Sequence, residues 1–168
     1  MKGPLICYKC NFSIMSPEHN HLCNTVIMYG LIKSNYLSKD FKPIMTYGLC
    51  GCTAIIVINP VSGEIIFGHH PILSQVFNWF NIHCKENANY IIIIKSPGDW
   101  IKINDQWILV SNNKQELETK FSESNYKLII EPYSCMKIIS DNFQSTLYLF
   151  KENDNLFYNS DGIDKLIF

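Results

Sequence analysis

The sequence predicts an α+β fold, an α/β sandwich with a mixed or mostly antiparallel β-sheet and two principal helices. Three observations lead there. Short β-branched runs recur between clusters of turn formers, only two segments carry apolar residues at helical spacing, and no internal repeat or low-complexity stretch intervenes. With 168 residues, 47% of them apolar and 17% charged, the chain can bury one domain-sized core.

The elements follow in order. Residues 1–24 hold Cys7-x2-Cys10 and His19-x-His21-x-Cys23 among polar residues without a sustained period, and read as an amino-terminal extension to a domain over 25–168. Thr25 to Ile32 predicts a strand, Lys33 to Lys42 a polar connection, and Pro43 to Thr46 a second extended segment. Thr53–Ile58 and Glu64–His69, separated by the turn formers Asn59-Pro60-Val61-Ser62-Gly63, predict a hairpin. Pro71 then opens a helix whose apolar face holds Ile72, Leu73, Val76, Trp79 and Phe80, ending near Cys84. Tyr90–Lys95 reads as a buried strand and Ser96–Asp99 as a turn. Trp100–Asn104 with Gln106–Val110 forms a second hairpin across which Trp100 and Trp107 pack. Asn113–Glu123 is a short helix with Leu117 and Phe121 one turn apart; Lys127–Glu131, Met136–Ile139, Ser145–Lys151 and Leu156–Tyr158 complete the strands.

Composition excludes several classes of function. A formal net charge of −1, from 14 basic and 15 acidic residues, lacks the basic excess that a phosphate-binding surface needs, so no nucleic-acid partner is expected. Lys9 and Asn11 interrupt anything resembling a signal-peptide apolar region, and the apolar runs are far shorter than a bilayer span of about 20 residues. Seven cysteines without such a signal suggest free thiols in a reducing compartment, so a cytoplasmic protein without membrane insertion is expected, in a host cytoplasm if the source is a pathogen or virus.

The chemistry concentrates at the first hairpin. If Asn59–Gly63 leaves Ile58 opposite Glu64, Cys52 faces His70; a one-residue change of register puts Cys52 opposite His69. Cross-strand Cβ atoms are only about 4.5–5.5 Å apart, close enough for proton transfer between thiol and imidazole. An imidazole beside a thiol lowers its pKa and carries its proton, which is the minimum for thiol nucleophilic catalysis. Gly51, without a side chain, leaves the backbone N–H groups at Gly51 and Cys52 free to hold an oxyanion. Adjacent strand residues point to opposite faces, so only one of His69 and His70 can serve as the base.

The stretch Thr46-Tyr47-Gly48-Leu49-Cys50-Gly51-Cys52-Thr53-Ala54, followed by Asn59-Pro60-x2-Gly63 and Gly68-His69, resembles the chemoreceptor glutamine deamidase family, CheD. That family carries Thr-x-Gly-Leu-Gly-Ser-Cys, then a strand, a turn and a His. The spacings agree without a gap, six residues from Thr46 to Cys52 and seventeen from Cys52 to His69. Leu49-x-Gly51-Cys52 is also similar to the Leu-Ser-Gly-Cys motif of deamidase toxins of the cytotoxic necrotizing factor and Burkholderia lethal factor group. The resemblance implies a CheD-like fold, with Cys52 as nucleophile, His69 as general acid/base and Thr46 as the residue orienting the site. It implies conversion of an exposed glutamine of a protein substrate to glutamate and ammonia through a thioester, with no cofactor required. Transamidation uses the same thioester when an amine replaces water. The chain departs from the CheD pattern at Cys50 and Gly51, and the likeness covers about residues 25 to 85.

Cys7, Cys10, His19 or His21, and Cys23 supply donors that tetrahedral zinc favours, and His21 is taken as the imidazole of that set. Two other functions compete with the enzyme. One is a non-catalytic protein-binding module that uses the extension, with or without zinc; the other is a redox protein using Cys50-x-Cys52, whose spacing lacks one residue of the usual Cys-x-x-Cys motif.

Overall fold

The computed structural model describes residues 5–85, 88–122, 125–135 and 145–168. The expected strand Met136–Ile139 lies outside them. Two mixed, mostly antiparallel sheets form an α+β fold. One has five strands in the order β1 (Asn24–Val26), β3 (Ile44–Leu49), β9 (Ser145–Glu152), β10 (Asn155–Ser160) and β11 (Ile163–Leu166). The other has six, with β2 (Leu31–Asn35), β5 (Glu64–His70), β4 (Thr53–Ile58), β6 (Ile91–Ile103) and β7 (Gln106–Ser111) in order and β8 (Lys127–Ser134) also on β6. Among the described strands, parallel pairing is confined to β1 with β3 and β6 with β8.

Side-chain alternation assigns the layers. Along β4, Ala54, Ile56 and Ile58 face Val26, Ile44, Leu147 and Leu149 of the five-stranded sheet. Ile55 and Val57 face Val76, Trp79 and Phe80 of α2 (Leu73–His83) and Leu117 and Phe121 of α3 (Lys114–Phe121). Both faces of β4 are therefore covered, which is why Thr53–Ile58 reads as one apolar run without alternation. Each fully buried Ile or Leu contributes about 1.5–3 kcal/mol. The far face of the five-stranded sheet, Met45, Tyr148 and Phe150, is covered by Cys7, Cys10, Ile14 and Cys23. The amino-terminal segment is thus packed against the sheet. It includes α1 (Pro17–Leu22), capped by the Ser16 side chain with Pro17 in its first turn, a helix the composition of the segment did not suggest.

Four expectations need correction. The single strand over Thr25–Ile32 is two strands in different sheets, because Tyr29 takes a positive φ of 65° and Gly30 packs its Cα against the Ile27 carbonyl, where a Cβ would lie 2.6 Å away. Ser96–Asp99 is not a turn but the middle of β6: Gly98, whose absent Cβ would sit 2.6 Å from the Val110 carbonyl oxygen, lets β7 close on it. Trp100 and Trp107 lie in the hairpin but are 53% and 64% exposed, so they form no core across it. The first hairpin has a loop of four residues between Asn59 and Glu64 rather than five. Asn59 accepts the Val61 and Ser62 N–H groups on its side chain and Gly63 closes the loop at φ 79°, making Ile58 and Ile65 the partners.

Candidate functional site

That loop fixes the register at the site. Thr53 faces His70 and Ala54 faces His69, so neither sequence register holds and Cys52 is directly opposite neither imidazole. Cys52 precedes β4 by one residue and shares the inter-sheet face with Ala54, two residues away, which makes it a diagonal neighbour of His69. Diagonal neighbours are about 7–8 Å apart at the backbone, within reach of a long side chain such as His.

His69 reaches across the sandwich. Its Nδ1 lies 2.8 Å from Thr46 Oγ1, and the Thr46 hydroxyl donates to the Val26 carbonyl at 2.6 Å. A hydroxyl has one hydrogen, and this one is committed to Val26; Nδ1 must therefore carry the proton that Thr46 accepts. Nε2 is left with its lone pair, buried and without a hydrogen-bond partner among the described residues. His70, one residue on, points to the opposite face, its ring 5.5 Å from that of Trp79 on α2. It cannot serve a thiol on the inter-sheet face.

Two glycines shape the approach to Cys52. Gly48 and Gly51 have φ of 68° and 85°, with open space where a Cβ would stand, so conformation and not crowding selects glycine there. Gly48 lies in the irregularity that breaks the β3–β9 register between Thr46 and Leu49. The Cys52 carbonyl is held by the buried Tyr133 hydroxyl at 2.6 Å. Sequence reasoning missed Tyr133 because it comes from β8, 81 residues away. Cys50 is exposed, and Cys135 packs at the edge of the same core.

The electrostatics differ from the sequence expectation of a lowered thiol pKa. Burial pushes the Cys52 thiol up, Cys50 and Cys135 add to this, and a backbone hydrogen bond from Cys50 only partly opposes it. Burial, followed by His70, pushes His69 below the ordinary 6.5. Thiol and imidazole are accordingly both neutral near pH 7, rather than a thiolate–imidazolium pair. Iodoacetamide labelling of Cys52, followed by mass spectrometry, is expected to accelerate with an apparent pKa above 9.0. A titration near pH ~7 that disappears in His69→Ala would show a preformed ion pair instead.

The second cluster is on the far side of the five-stranded sheet. One donor atom each from Cys7, Cys10, His19 and Cys23 lies within 4.8 Å of the others, and this set could hold a metal ion. His21 does not belong to it. His21 is exposed on α1, whereas His19 is fully buried, because the turn of α1 carries the two residues to different faces. Cys7 and Cys23 Sγ are 3.9 Å apart, and Cys10 Sγ is 3.3 Å from His19 Nδ1. A tetrahedron with metal–sulfur bonds of about 2.3 Å and metal–nitrogen bonds of about 2.05 Å has edges of about 3.8 and 3.6 Å, so the donor set fits with small adjustments. Hydrogen bonding from Cys23 holds Cys7 down to about 4 while the same contact pushes Cys23 up.

No family model and no curated protein matches the chain. Among the described residues, no helix is long and apolar enough to cross a membrane.

Proposed function

We infer that the protein is a cysteine-dependent protein-glutamine deamidase of CheD-like type, acting on a protein that presents an exposed glutamine. The observation that carries this is the His69 imidazole, held at Nδ1 by Thr46 with Nε2 left free on the face that also carries Cys52. The family resemblance of the Thr46–Cys52–His69 pattern supports the same residues independently of distance.

In the proposed reaction Cys52 Sγ attacks the carboxamide carbon as its proton passes to His69 Nε2. Backbone N–H groups at Gly51 and Cys52 hold the oxyanion. His69 returns the proton to the departing nitrogen, the C–N bond breaks and ammonia leaves. Water, deprotonated by His69, then cleaves the thioester to give glutamate and the free thiol. Because the thiol starts neutral, proton transfer accompanies attack, a step suited to an imidazole that stays unprotonated at neutral pH.

The test is peptide mass spectrometry with ammonia release on a lysate of the relevant cell. Wild type is expected to raise particular glutamines by about 1 Da, and Cys52→Ala to leave them unchanged. Adding a primary amine separates transamidation, since the acyl group would then gain the mass of the amine. A non-catalytic binding module is the second reading, favoured by the burial of Cys52 in the inter-sheet core. It is chosen if wild type changes no glutamine and Cys52 alkylates no faster than Cys135.

For the amino-terminal cluster we infer zinc, because three thiolates with one imidazole form a closed tetrahedral set typical of structural zinc sites. Catalysis as drawn needs no cofactor.

A further inference from the structure

The cluster and the candidate catalytic imidazole lie on opposite faces of one sheet, yet a short line of contacts joins them. His19 turns Nδ1 toward Cys10 and places Nε2 2.6 Å from Thr25 Oγ1. Thr25 is the middle residue of β1, an edge strand of three residues paired to β3 from Asn24 to Val26. Val26, the next residue, gives its carbonyl to Thr46, and Thr46 accepts from His69.

We propose that a zinc ion held by Cys7, Cys10, His19 and Cys23 positions His69 through β1, fixing the tautomer of the imidazole from the far side of the sheet. The consequence for catalysis rests on the deamidase reading; the coupling itself does not.

When His19 ligates through Nδ1, its Nε2 must carry hydrogen and can only donate, so it fastens Thr25 Oγ1. The rest of this region is held by packing of Cys7, Ile14 and Cys23 on Met45, Tyr148 and Phe150, by Val26 in the inter-sheet core and by the Tyr29 N–H on the His69 carbonyl. Helix α1 has six residues, too few to be stable alone, and β1 offers three residues to one neighbour. Among the described residues, the buried thiols otherwise have only weak sulfur contacts. With the donors unligated, the His19–Thr25 tie is no longer fixed, and in this scheme β1 shifts at the sheet edge enough to draw the Val26 carbonyl off the Thr46 hydroxyl. The Thr46 hydroxyl then loses its acceptor and turns its hydrogen toward His69 Nδ1. The imidazole proton, exchanging through solvent, moves to Nε2, and that nitrogen can no longer accept a proton from Cys52. Thr25 and Thr46 are positioning residues in this scheme.

The experiment uses the full chain as purified, after treatment with a chelator, and after reloading with Zn²⁺ or Co²⁺. Metal content and the cobalt spectrum, with its thiolate charge-transfer and tetrahedral bands, report the site. Nitrogen NMR of ¹⁵N-histidine-labelled protein, with His69 assigned through His69→Gln, reports the tautomer. About one metal ion per chain is expected, with His69 protonated at Nδ1 when loaded and at Nε2 when stripped. Thr25→Val leaves all four ligands intact; it is expected to retain metal but lose the Nδ1–H preference while loaded, and Thr25→Ser to restore it. If chelation unfolds the chain, the two Thr25 variants, compared fully loaded, still decide the matter. Absence of retained metal, or the same tautomer in wild type and loaded Thr25→Val, overturns the proposal. A metal-responsive tautomer without glutamine deamidation would sink the deamidase reading alone, and Cys52-dependent deamidation with an unresponsive tautomer would sink the coupling alone.

Discussion

His69→Ala is expected to lower the rate of ammonia release by about 10²–10⁴-fold, the range for loss of a positioned general acid and base. The chain should stay folded, since His69 is one buried residue at the margin of a core built mainly from Ile, Leu and Tyr. Thr46 gives a finer discrimination. Its hydroxyl donates to Val26 and accepts from His69, so Thr46→Val keeps the shape but removes the acceptor that holds the proton on Nδ1. One neutral hydrogen bond contributes about 0.5–1.5 kcal/mol, so a roughly 3–10-fold fall is expected for Thr46→Val and near wild-type rate for Thr46→Ser. Kinetics of the three variants, with melting curves as the folding check, test this. A Thr46→Val enzyme as fast as wild type would remove Thr46 from the mechanism, and a fully active His69→Ala would remove the imidazole.

The parts legible in sequence were those whose signal is local. The hairpin strands flanking Asn59–Gly63, the amphipathic spacing of Val76, Trp79 and Phe80, and the Leu117/Phe121 pair each depend on residues near one another, and each lies in the element expected. Register was not legible, because the four-residue loop follows from the Asn59 side chain accepting two backbone N–H groups, a hydrogen bond that composition cannot count. Either expected register sets Cys52 directly opposite an imidazole, His70 or His69, whereas the loop makes it a diagonal neighbour of His69. The choice between the two imidazoles did not need register: strand alternation requires opposite faces, and contacts with Thr46 and Trp79 determine which face each takes. His21 and His19 are not distinguished by spacing alone, which cannot tell which side of a six-residue helix faces the sheet. Tyr133 and the Val26 carbonyl meet their partners through strands far apart in sequence and leave no local trace, whereas β11 follows a local hairpin whose two-residue turn, Asp161-Gly162, is itself a sequence signal.

Lys95→Met is expected to destabilise the fold by about 3–5 kcal/mol, the usual cost of removing one partner from a buried ion pair. Lys95 is fully buried on β6, in register with Ala54 on one side and Glu131 on the other. Its three N–H groups are all used: Nζ is 2.7 Å from Asp161 and 2.8 Å from both the Thr146 carbonyl and Ser160 Oγ. Asp161, at the β10–β11 turn with φ 50°, also accepts from Ser145 Oγ and the Thr146 N–H, so this one ammonium ties the turn and the start of β9 to the other sheet. Burial nevertheless outweighs Asp161 and lowers the Lys95 pKa to about 8 from 10.5. The charge therefore costs more than its partner returns, and removing both charges should cost less than removing one. Asp161→Asn keeps an oxygen for Thr146 and tolerates the positive φ, so Lys95→Met/Asp161→Asn is expected to recover more than half of the loss. The pH dependence has a definite sign. Between pH 8 and 10.5 the unfolded chain holds the Lys95 proton that the folded chain has released, so wild-type stability from this group rises with pH and the gap to Lys95→Met widens. Urea unfolding of the three chains at neutral pH and at the upper end of that window measures both effects. Equal losses in single and double variants would mean that the ion pair is not what holds the two sheets together at this corner.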